Sequence, residues 1–461
     1  MIPLKIINFN HMNDKLKRRE FLKNTTAAGL GLACSPGLAF GQSPAARLPD
    51  VSVGVIGVGS RGRGLLNLLA KYDNVRIPAI CDINSESLAL TQTALANNGK
   101  ERAAEYTGDD HAYKKLLDRN DIDSVIITTP WEWHVPMGVD AMKAGKYVGL
   151  EMPAAITVEG CWELVNVHEA TGSHLMFLEN CCYGRETMAV LQMIRDGLFG
   201  TPVHATCGYR HSFWGSRSFI DFKGDSSDEI YWRNQHYLNR NADLYPTHGI
   251  GPVANWFNID RGNRFLYLTS TATKSKGIYE YIKSHPDGGS DHPNAKLDWK
   301  LGDIVTTIIK TSEGETIVIN FELNLPRPYS RDYSLHGTSG LWSGEYMRRG
   351  IYIEGKSPRT HQWETGEAYD EYMKKYDHPL WKNHEEEAKN AGHGGIDYFM
   401  IRAFVECASQ NLYPPIDVYD AASWSVIVPL SEKSILGGSE PVFFPDFTKG
   451  QWMVRRPSFG I

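Results

Sequence analysis

The spacing of hydrophobic and polar residues differs between the first and second parts of this chain. In the first part, the spacing predicts alternating strands and helices. Between residues 51 and 182, short apolar runs of strand length are followed by longer runs with helical spacing. Strands are predicted over residues 51–56, 75–81, 124–130, 147–151 and 174–180, and helices over residues 63–72, 86–97, 134–146 and 157–171. This alternation is typical of an α/β fold with a doubly wound parallel sheet, in which ligands bind beyond the carboxyl ends of the strands.

From about residue 200 the apolar runs are longer and more strand-like. Strands are predicted over residues 203–209, 265–273, 304–311 and 316–323, and helices over residues 188–197, 252–257, 381–391 and 398–408. Residues 312–315 join two of these strands as a hairpin. We expect an α+β domain with a large, mostly antiparallel open sheet, whose open face favours a homodimer. The predicted division is a leader over residues 1–42, a dinucleotide-binding domain over 43–182 and a substrate-binding domain over 183–461.

A glycine turn follows the first predicted strand. Gly57, Gly59 and Gly62 have the G-x-G-x-x-G spacing, and a helical pattern rich in leucine comes directly after them. In a strand–turn–helix context, these glycines allow a tight turn, a close approach of backbone to a pyrophosphate, and close packing of helix on strand. The turn therefore predicts a dinucleotide-binding Rossmann fold.

Asp82 ends the second predicted strand, about 20 residues beyond the turn, where a carboxylate bonds the ribose hydroxyls of NAD. A carboxylate there repels the 2′-phosphate of NADP, so the sequence favours NAD. Arg61 and Arg63 place positive charge near the same turn and leave NADP as the alternative.

The first 42 residues predict an export leader. Lys17, Arg18 and Arg19 precede a mild apolar stretch over residues 27–33, as in twin-arginine signals. The stretch is too short for a stable membrane span. Twin-arginine export carries folded proteins, so we expect a protein of the bacterial periplasm or cell surface that keeps its cofactor bound and regenerates it. Cys34 lies in a poor match to a lipidation motif, and the alternative is a basic disordered tail.

Composition narrows the class of protein. A net charge of −6 argues against nucleic acid as the main partner, and 42% hydrophobic residues are ordinary for a globular protein. The seven cysteines form no C-x-x-C pair, which predicts buried thiols and no metal site. The 22 tyrosines and 12 tryptophans offer surface suited to sugars, although most are expected in the core.

The densest polar and aromatic stretch runs from residue 230 to residue 249 and contains Arg233, Tyr245 and His248. Pro246 and Gly249 punctuate it, so His248 is expected where a loop meets a helix. An imidazole there can act as an acid or base near neutral pH. The alternative, a histidine that only braces the loop, is equally compatible with the residues alone. Tyr209 and Tyr329 each follow a predicted strand and are further candidates.

Several motifs in order resemble glycoside hydrolase family 109, the NAD-dependent α-N-acetylgalactosaminidases, within the glucose–fructose oxidoreductase and inositol dehydrogenase superfamily. The resemblance covers nearly all of the chain after residue 50. Its motifs lie at residues 129–134 (TPWEWH), 178–180 (LEN), 182–183 (CY), 245–249 (YPTHG), 327–329 (RPY), 391–395 (AGHGG) and 429–433 (PLSEK).

The resemblance implies which residues bind each ligand. For NAD it implies Ser60, Arg61, Asp82, Trp131, Glu132, Trp133, His134, Glu151, Met152 and Asn180. For the sugar of a glycan or small glycoside it implies Tyr209, Arg233, Tyr245, Pro246, Thr247, His248 and Tyr329. Glu179, Tyr209 and His248 are the implied chemical actors, and the division of acid and base roles among them stays open.

Two departures from the wider superfamily bear on the reaction. Its dehydrogenases usually carry Lys where this chain has Met152, and Asp where it has Leu244. Both differences weaken a simple dehydrogenase hypothesis. The leading hypothesis is an exported glycosidase that oxidises the sugar at C3, eliminates the leaving group, adds water and returns the hydride. The alternatives are a secreted sugar oxidoreductase with net redox output and a non-catalytic sugar or dinucleotide sensor.

Overall fold

In the computed structural model, which describes residues 48–212, 219–221, 229–345, 349–389 and 391–460, six parallel strands form the first sheet. The strands are β1 Val51–Ile56, β2 Val75–Cys81, β3 Ala104–Tyr106, β4 Ser124–Ile127, β5 Tyr147–Leu150 and β6 Leu175–Phe177. Their order is β3-β2-β1-β4-β5-β6, which confirms the predicted doubly wound sheet. β3 had no apolar signal because its residues are exposed or half-buried. The predicted leader and Cys34 lie outside the described residues.

Five helices belong to this sheet: α1 Ser60–Leu69, α2 Ser85–Asn97, α3 Tyr113–Leu117, α4 Trp131–Lys143 and α5 Val158–Thr171. α4 begins at Trp131, three residues before the prediction, because Pro130 serves as its N-cap. The Thr157 side chain caps α5 by accepting from the Gly160 N–H at 3.0 Å. The strand predicted over residues 174–180 is shorter in the structure, where β6 spans only Leu175–Phe177. A short 3₁₀ helix, Asn180–Tyr183, follows it.

Eight strands form the second sheet, in the order β13-β12-β11-β7-β10-β9-β8-β14. They are β7 Pro202–Arg210, β8 Phe265–Ala272, β9 Ile304–Thr311, β10 Thr316–Glu322, β11 Ser334–Gly337, β12 Gly340–Ser343, β13 Gly350–Ile353 and β14 Val442–Phe443. All neighbours are antiparallel except β7 and β10, which confirms the predicted, mostly antiparallel sheet. β9 and β10 pair as the predicted hairpin.

Nine further α-helices of the described residues complete this part. They are α6 Arg185–Arg195, α7 Glu229–Asn239, α8 Thr247–Trp256, α9 Gly277–Ser284, α10 Glu367–Lys375, α11 Pro379–Ala388, α12 Ile396–Gln410, α13 Val418–Ser425 and α14 Ile427–Leu436. The prediction for α8 was wrong by five residues at its start. Pro252 indicates a helix start in sequence, but it lies inside α8. Within the described ranges, no helix is long and apolar enough to cross a membrane.

Candidate active site

A cavity of about 550 Å³ opens at the carboxyl ends of the parallel strands, where a doubly wound sheet binds its ligand. The cavity is lined by residues from the part of the chain that forms the first sheet and from the part that forms the second sheet. Fifteen of the predicted site residues lie on its wall: Gly57, Gly59, Ser60, Arg61, Asp82, Trp131, Trp133, His134, Glu151, Met152, Asn180, Tyr209, Arg233, Tyr245 and His248. The structure therefore brings most of the predicted cofactor residues and four of the seven predicted sugar residues to one cavity.

The glycine turn at the end of β1 has no room for side chains. Gly57 has a φ of 83°, and a Cβ there would lie 2.7 Å from the backbone oxygen of Thr128. A Cβ on Gly62 would overlap the carbonyl oxygen of Gly57, so α1 packs directly on the turn. No side chain caps the N-terminus of α1, and its first N–H groups remain available to an anion.

Asp82 closes the end of this turn. Its Oδ2 accepts from the Val58 N–H at 2.7 Å, and its Oδ1 accepts from the Asn84 N–H at 2.8 Å. Each carboxylate oxygen has a second lone pair, so the fixed carboxylate can still accept from ribose hydroxyls. Asp109 and Asp110 line the same cavity and add to the negative charge around Asp82.

Half-buried Arg61 forms a charge network in the cavity wall with two buried carboxylates. Its Nε donates to Glu151 Oε1 at 2.6 Å and its Nη1 donates to Asp397 Oδ2 at 2.8 Å. Burial raises the pKa of Glu151 despite the neighbouring Arg61 charge. The sequence did not single out Asp397, which lies in the first turn of α12. The network ties this helix to the glycine turn.

Asp397 also holds two other groups of the cavity wall. Its Oδ1 accepts from the Asn180 Nδ2 at 2.7 Å, and its Oδ2 accepts from the His393 Nδ1 at 2.8 Å. Burial would raise the pKa of Asp397, but the bonds from His393 and Arg61 hold the pKa well below its usual value. Asp397 is therefore an ionised acceptor for three donors.

Two glycines in the first turns of α8 place His248. A Cβ on Gly249 would lie 2.8 Å from the backbone nitrogen of Gly208 in β7, and a Cβ on Gly251 would lie 3.0 Å from Cγ of Glu179. α8 therefore packs tightly against both β7 and the end of β6. The Tyr333 hydroxyl donates to the backbone oxygen of His248 and fixes the turn further.

His248 and Glu179 form a buried pair at this contact. The Nδ1 of His248 lies 2.7 Å from Oε1 of Glu179, which also accepts from the Cys181 N–H at 3.0 Å. Burial would raise the pKa of Glu179, but His248 lowers it, so Glu179 is an ionised acceptor. Burial lowers the pKa of His248 below its ordinary value of 6.5, so the imidazole is neutral at pH 7. The proton therefore resides on Nδ1, and Nε2 offers a lone pair.

Aromatic rings surround this lone pair. The ring of Tyr209 lies 5.4 Å and the ring of Tyr245 lies 4.8 Å from the imidazole, centroid to centroid. The Arg233 guanidinium lies over the rings of Tyr245 and Trp131, at 4.6 and 5.0 Å. Rings with hydroxyls and one cation are suited to the apolar faces and polar edges of a sugar.

The remaining predicted residues lie behind or beside the wall. They are Gly62, Glu132, Glu179, Pro246, Thr247 and Tyr329. Glu179 is fully buried behind His248, and Glu132 lies 3.1 Å from His236. Tyr329 packs its ring 6.0 Å from Tyr209. Glu179 contacts the wall through its hydrogen bond with His248.

Glu179, Cys181 and His248 have the spacing of a small metal cluster, with ligand atoms within 4.8 Å of one another. Burial raises the pKa of Cys181 well above its usual value, which keeps it a thiol. Glu179 already accepts from the His248 Nδ1–H and from the Cys181 N–H. We therefore describe these residues as a hydrogen-bonded group.

Sequence reasoning missed several wall residues: Ile83, Asn84, Asp109, Asp110, Tyr113, Met137, Trp232 and His393. His393 lies in the AGHGG motif at residues 391–395, which carried the resemblance but received no role. Asp397 accepts from the wall residues Asn180 and His393, and no sequence motif or pattern pointed to it.

Comparisons with known proteins cover both parts of the chain. Residues 183–454 match the family described as glycosyl hydrolase 109, C-terminal domain, and residues 51–178 match the oxidoreductase family with an NAD-binding Rossmann fold. The α-N-acetylgalactosaminidase of Tannerella forsythia is 46% identical, over 96% of this chain and 99% of that protein. A glycosyl hydrolase family 109 protein of Parabacteroides distasonis is 43% identical, over 96% and 99%. These matches confirm the resemblance.

Solved structures of oxidoreductases share the fold. An NAD-binding oxidoreductase from Klebsiella pneumoniae has a TM-score of 0.65 at 17% identity, covering 86% of this chain and 99% of that one. Levoglucosan dehydrogenase in complex with NADH and levoglucosan has a TM-score of 0.63 at 20% identity, covering 86% and 100%.

Proposed function

The chain belongs to glycosyl hydrolase family 109, and from this premise we propose that it removes terminal α-N-acetylgalactosamine from glycans with the help of tightly bound NAD. The α-N-acetylgalactosaminidase at 46% identity supports this substrate. The proposed route is oxidation, elimination, addition of water and reduction, with no net redox change. The observation that carries it is that the neutral imidazole of His248 and the glycine turn face one cavity.

The residues of the cavity fit NAD. The turn at Gly57 and Gly62 excludes side chains, the N-terminus of α1 faces the turn, and the Asp82 carboxylate is fixed to accept from hydroxyls. NAD, when bound, supplies a hydride acceptor for C3 of the sugar and later returns the hydride. Ser60 and Arg61 lie beside the turn, and Asn180 is held by Asp397, the carboxylate that also accepts from Arg61.

The chain's own residues move the protons. Oxidation at C3 releases the hydroxyl proton, and the resulting ketone makes the C2 hydrogen acidic. Two proton acceptors are therefore needed. His248 offers the Nε2 lone pair, and Tyr209 offers a hydroxyl on the ring beside it. The Arg233 guanidinium packs on the rings of Trp131 and Tyr245, and the Tyr245 ring contacts the ring of Tyr209.

The carboxylates of the cavity do not suit an ordinary glycosidase, which needs two of them on either side of the glycosidic bond. Glu151 is bonded to Arg61, and Glu179 lies behind His248. Asp82 is held at the glycine turn, and Asp109 and Asp110 lie on the wall around it. In the described part of the wall no lysine is present, which also disfavours a dehydrogenase that uses lysine as its proton carrier.

The test is hydrolysis of a panel of aryl glycosides by protein purified without added NAD. We expect cleavage of aryl α-N-acetylgalactosaminide, loss of activity when NAD is removed by unfolding and refolding without it, and recovery when NAD is added. Cleavage at full rate by NAD-free protein would contradict the proposal. Steady accumulation of oxidised sugar with an external acceptor would favour the oxidoreductase alternative.

We also propose export by the twin-arginine route, which the Lys17-Arg18-Arg19 sequence and the apolar stretch after it support. The test replaces Arg18 and Arg19 with lysine in the native host. We expect the activity to remain in the cytoplasm. Unchanged activity in the periplasm or at the surface would contradict the proposal.

A further inference from the structure

Arg331 lies in the loop between β10 and β11, and this loop is fixed to the neighbouring strands. The backbone of Ser330 pairs with that of Arg210 at the end of β7, with N–O distances of 2.8 and 3.0 Å. Asp332 has a φ of 55°, in the left-handed region, and its Oδ2 accepts from Asn320 at 3.0 Å and from Arg210 at 3.2 Å. Both residues that flank Arg331 are therefore held, which restricts where its side chain can reach.

The Arg331 guanidinium contacts Tyr329 in two ways. Its Nε donates to the Tyr329 hydroxyl oxygen at 2.9 Å, and its central carbon lies 5.6 Å from the centre of the same ring. A guanidinium has no acceptor atom, so the hydroxyl oxygen is the acceptor in this bond. Burial raises the pKa of Tyr329 against the opposing charge and bond of Arg331, so the hydroxyl keeps its proton. This proton is then available for a second hydrogen bond.

Tyr329 stands where a bound sugar can use this proton. Its ring lies 6.0 Å from the ring of Tyr209, which lines the cavity, and the residue is 47% exposed. A partly exposed phenol beside a wall of aromatic rings is suited to donate to a sugar oxygen. Because Arg331 fixes the phenol oxygen, it also restricts the directions in which the O–H can donate.

The positive charge of Arg331 is not offset by its main ionisable neighbours. These are Cys181, Tyr329 and Tyr333. Burial raises the pKa of all three, so each of them is neutral at pH 7. The charge therefore acts on other groups of the site.

His248 is one of these groups. Burial is the main reason that the pKa of His248 is lowered, the Glu179 carboxylate opposes this effect, and the charges of Arg331 and His393 add to it. The Cys181 thiol and the phenols of Tyr209 and Tyr245 also lie against the imidazole. Arg331 therefore helps to keep the imidazole neutral.

We propose that Arg331 is a positioning residue of the sugar site, which holds the Tyr329 hydroxyl as a donor to an oxygen of the bound sugar and supplies a fixed positive charge near His248. This inference rests on the proposed glycosidase function. Arg331 is not among the residues that line the cavity, and it acts through these two residues. It transfers no proton itself, because a guanidinium stays protonated in proteins.

The first test measures the coupling between Arg331 and Tyr329. Cleavage of an aryl α-N-acetylgalactosaminide is compared for wild type, Arg331→Met, Tyr329→Phe and the double variant, at a pH well above the acid limb. We expect each single variant to lower kcat/KM about 3- to 10-fold, the usual cost of one hydrogen bond, mainly through KM. The double variant should lose little more than Tyr329→Phe alone, because both changes remove the same contact with the sugar.

The second test is the pH profile, which a merely structural arginine would not change. His248 must be neutral to act as a base, so losing a nearby positive charge raises its pKa and moves the acid limb of kcat to higher pH in Arg331→Met. Arg331→Lys keeps the charge, so its acid limb should match wild type although lysine lacks the planar donor. Arg359→Met is the control, because Arg359 is exposed and lies outside the cavity.

NAD content, melting temperature and the binding of free N-acetylgalactosamine by calorimetry are measured for every variant. Arg331→Lys repeats the coupling test with the charge retained, so a result is obtained even where Arg331→Met folds poorly. Two outcomes would overturn the proposal: losses in kcat/KM that multiply in the double variant, or an acid limb that does not move in Arg331→Met. If wild-type protein neither binds the free sugar nor cleaves its aryl glycosides, the proposed function fails first, and this result is distinct from the two above.

Discussion

Nδ1 of His248 donates to Oε1 of Glu179 over 2.7 Å, and this bond decides which nitrogen of the imidazole faces the cavity. Glu179 is fully buried and His248 lines the cavity, so the imidazole lies between the carboxylate and the cavity. The bond also raises the pKa of His248 against the larger effect of burial, which lowers it. The strength of the base therefore depends on Glu179.

Replacing Glu179 with glutamine should change the pH dependence of activity. His248 must be neutral to act as a base, so activity falls as pH drops through its pKa, which in wild type lies below the ordinary value of about 6.5. Glu179→Gln removes the charge that raises this pKa. We expect the acid limb of kcat to move to lower pH while the maximal rate declines. An acid limb that moves to higher pH would show that Glu179 does not act on His248.

His248→Gln should reduce turnover by about 10²- to 10⁴-fold, the usual cost of losing a placed acid or base. The melting temperature and NAD content should change little, because glutamine can still donate to Glu179. His204→Gln is the matched control, since His204 lies on β7 outside the cavity and bonds Thr316 at 2.8 Å. Early melting of His248→Gln with normal turnover would identify His248 as a structural brace.

Asp82→Asn should weaken NAD binding and reduce the preference for NAD over NADP. A charge-assisted hydrogen bond of this kind is worth ~1.5–3 kcal/mol, and the lost negative charge also removes repulsion of a 2′-phosphate. Asp118→Asn makes the same charge change at an exposed position outside the cavity. Cofactor titration by fluorescence gives both affinities. The same ratio of NAD affinity to NADP affinity in wild type and Asp82→Asn would contradict the assignment of Asp82 to the ribose of NAD.

Asp243 should make stability fall with rising pH. It is fully buried, and burial raises its pKa to about 7 against the smaller, opposite effect of a hydrogen bond from the Tyr245 backbone. The folded state therefore binds this proton more tightly than the unfolded state. Its contribution to the free energy of unfolding is fully present below about pH 4 and is lost as pH rises through about 7.

Asp243→Asn should therefore be more stable relative to wild type at pH 8 than at pH 5, by up to a few kcal/mol. Denaturant unfolding at the two pH values measures the difference, with the same NAD content in both proteins. Asp260 also has a pKa raised by burial to about 7. Its effect on the free energy of unfolding cancels in this comparison, because both proteins carry Asp260. The same stability difference at both pH values would show that Asp243 does not titrate in this range.

The sequence predicted the parallel sheet because its strands are buried, apolar and separated by helical patterns. Helix starts were harder to predict. α4 begins at Trp131 after Pro130, and α8 begins at Thr247, although a proline inside α8 suggested a later start. The carboxyl ends of the strands were predicted well enough to place Asp82, Glu151 and Asn180 at one cavity.

Groups paired across the chain were beyond sequence reasoning. Asp397 is separated from Arg61 by 336 residues, and no periodicity or motif connects them. The placement of Glu179 behind His248 depends likewise on the close contact of Gly251 with Glu179, which exists only in the folded chain. Local patterns predict elements, whereas these pairings depend on how the elements pack.

The measurement that tests the redox mechanism most directly is the fate of the C2 hydrogen. If the sugar is transiently oxidised at C3, a protein base such as His248 removes the C2 proton and exchanges it with solvent. Product made in heavy water should then carry deuterium at C2, and substrates deuterated at C2 or C3 should react more slowly. Mass spectrometry and proton NMR measure the label. Unlabelled product, together with normal rates for both deuterated substrates, would contradict the account, because direct displacement at C1 leaves C2 and C3 untouched.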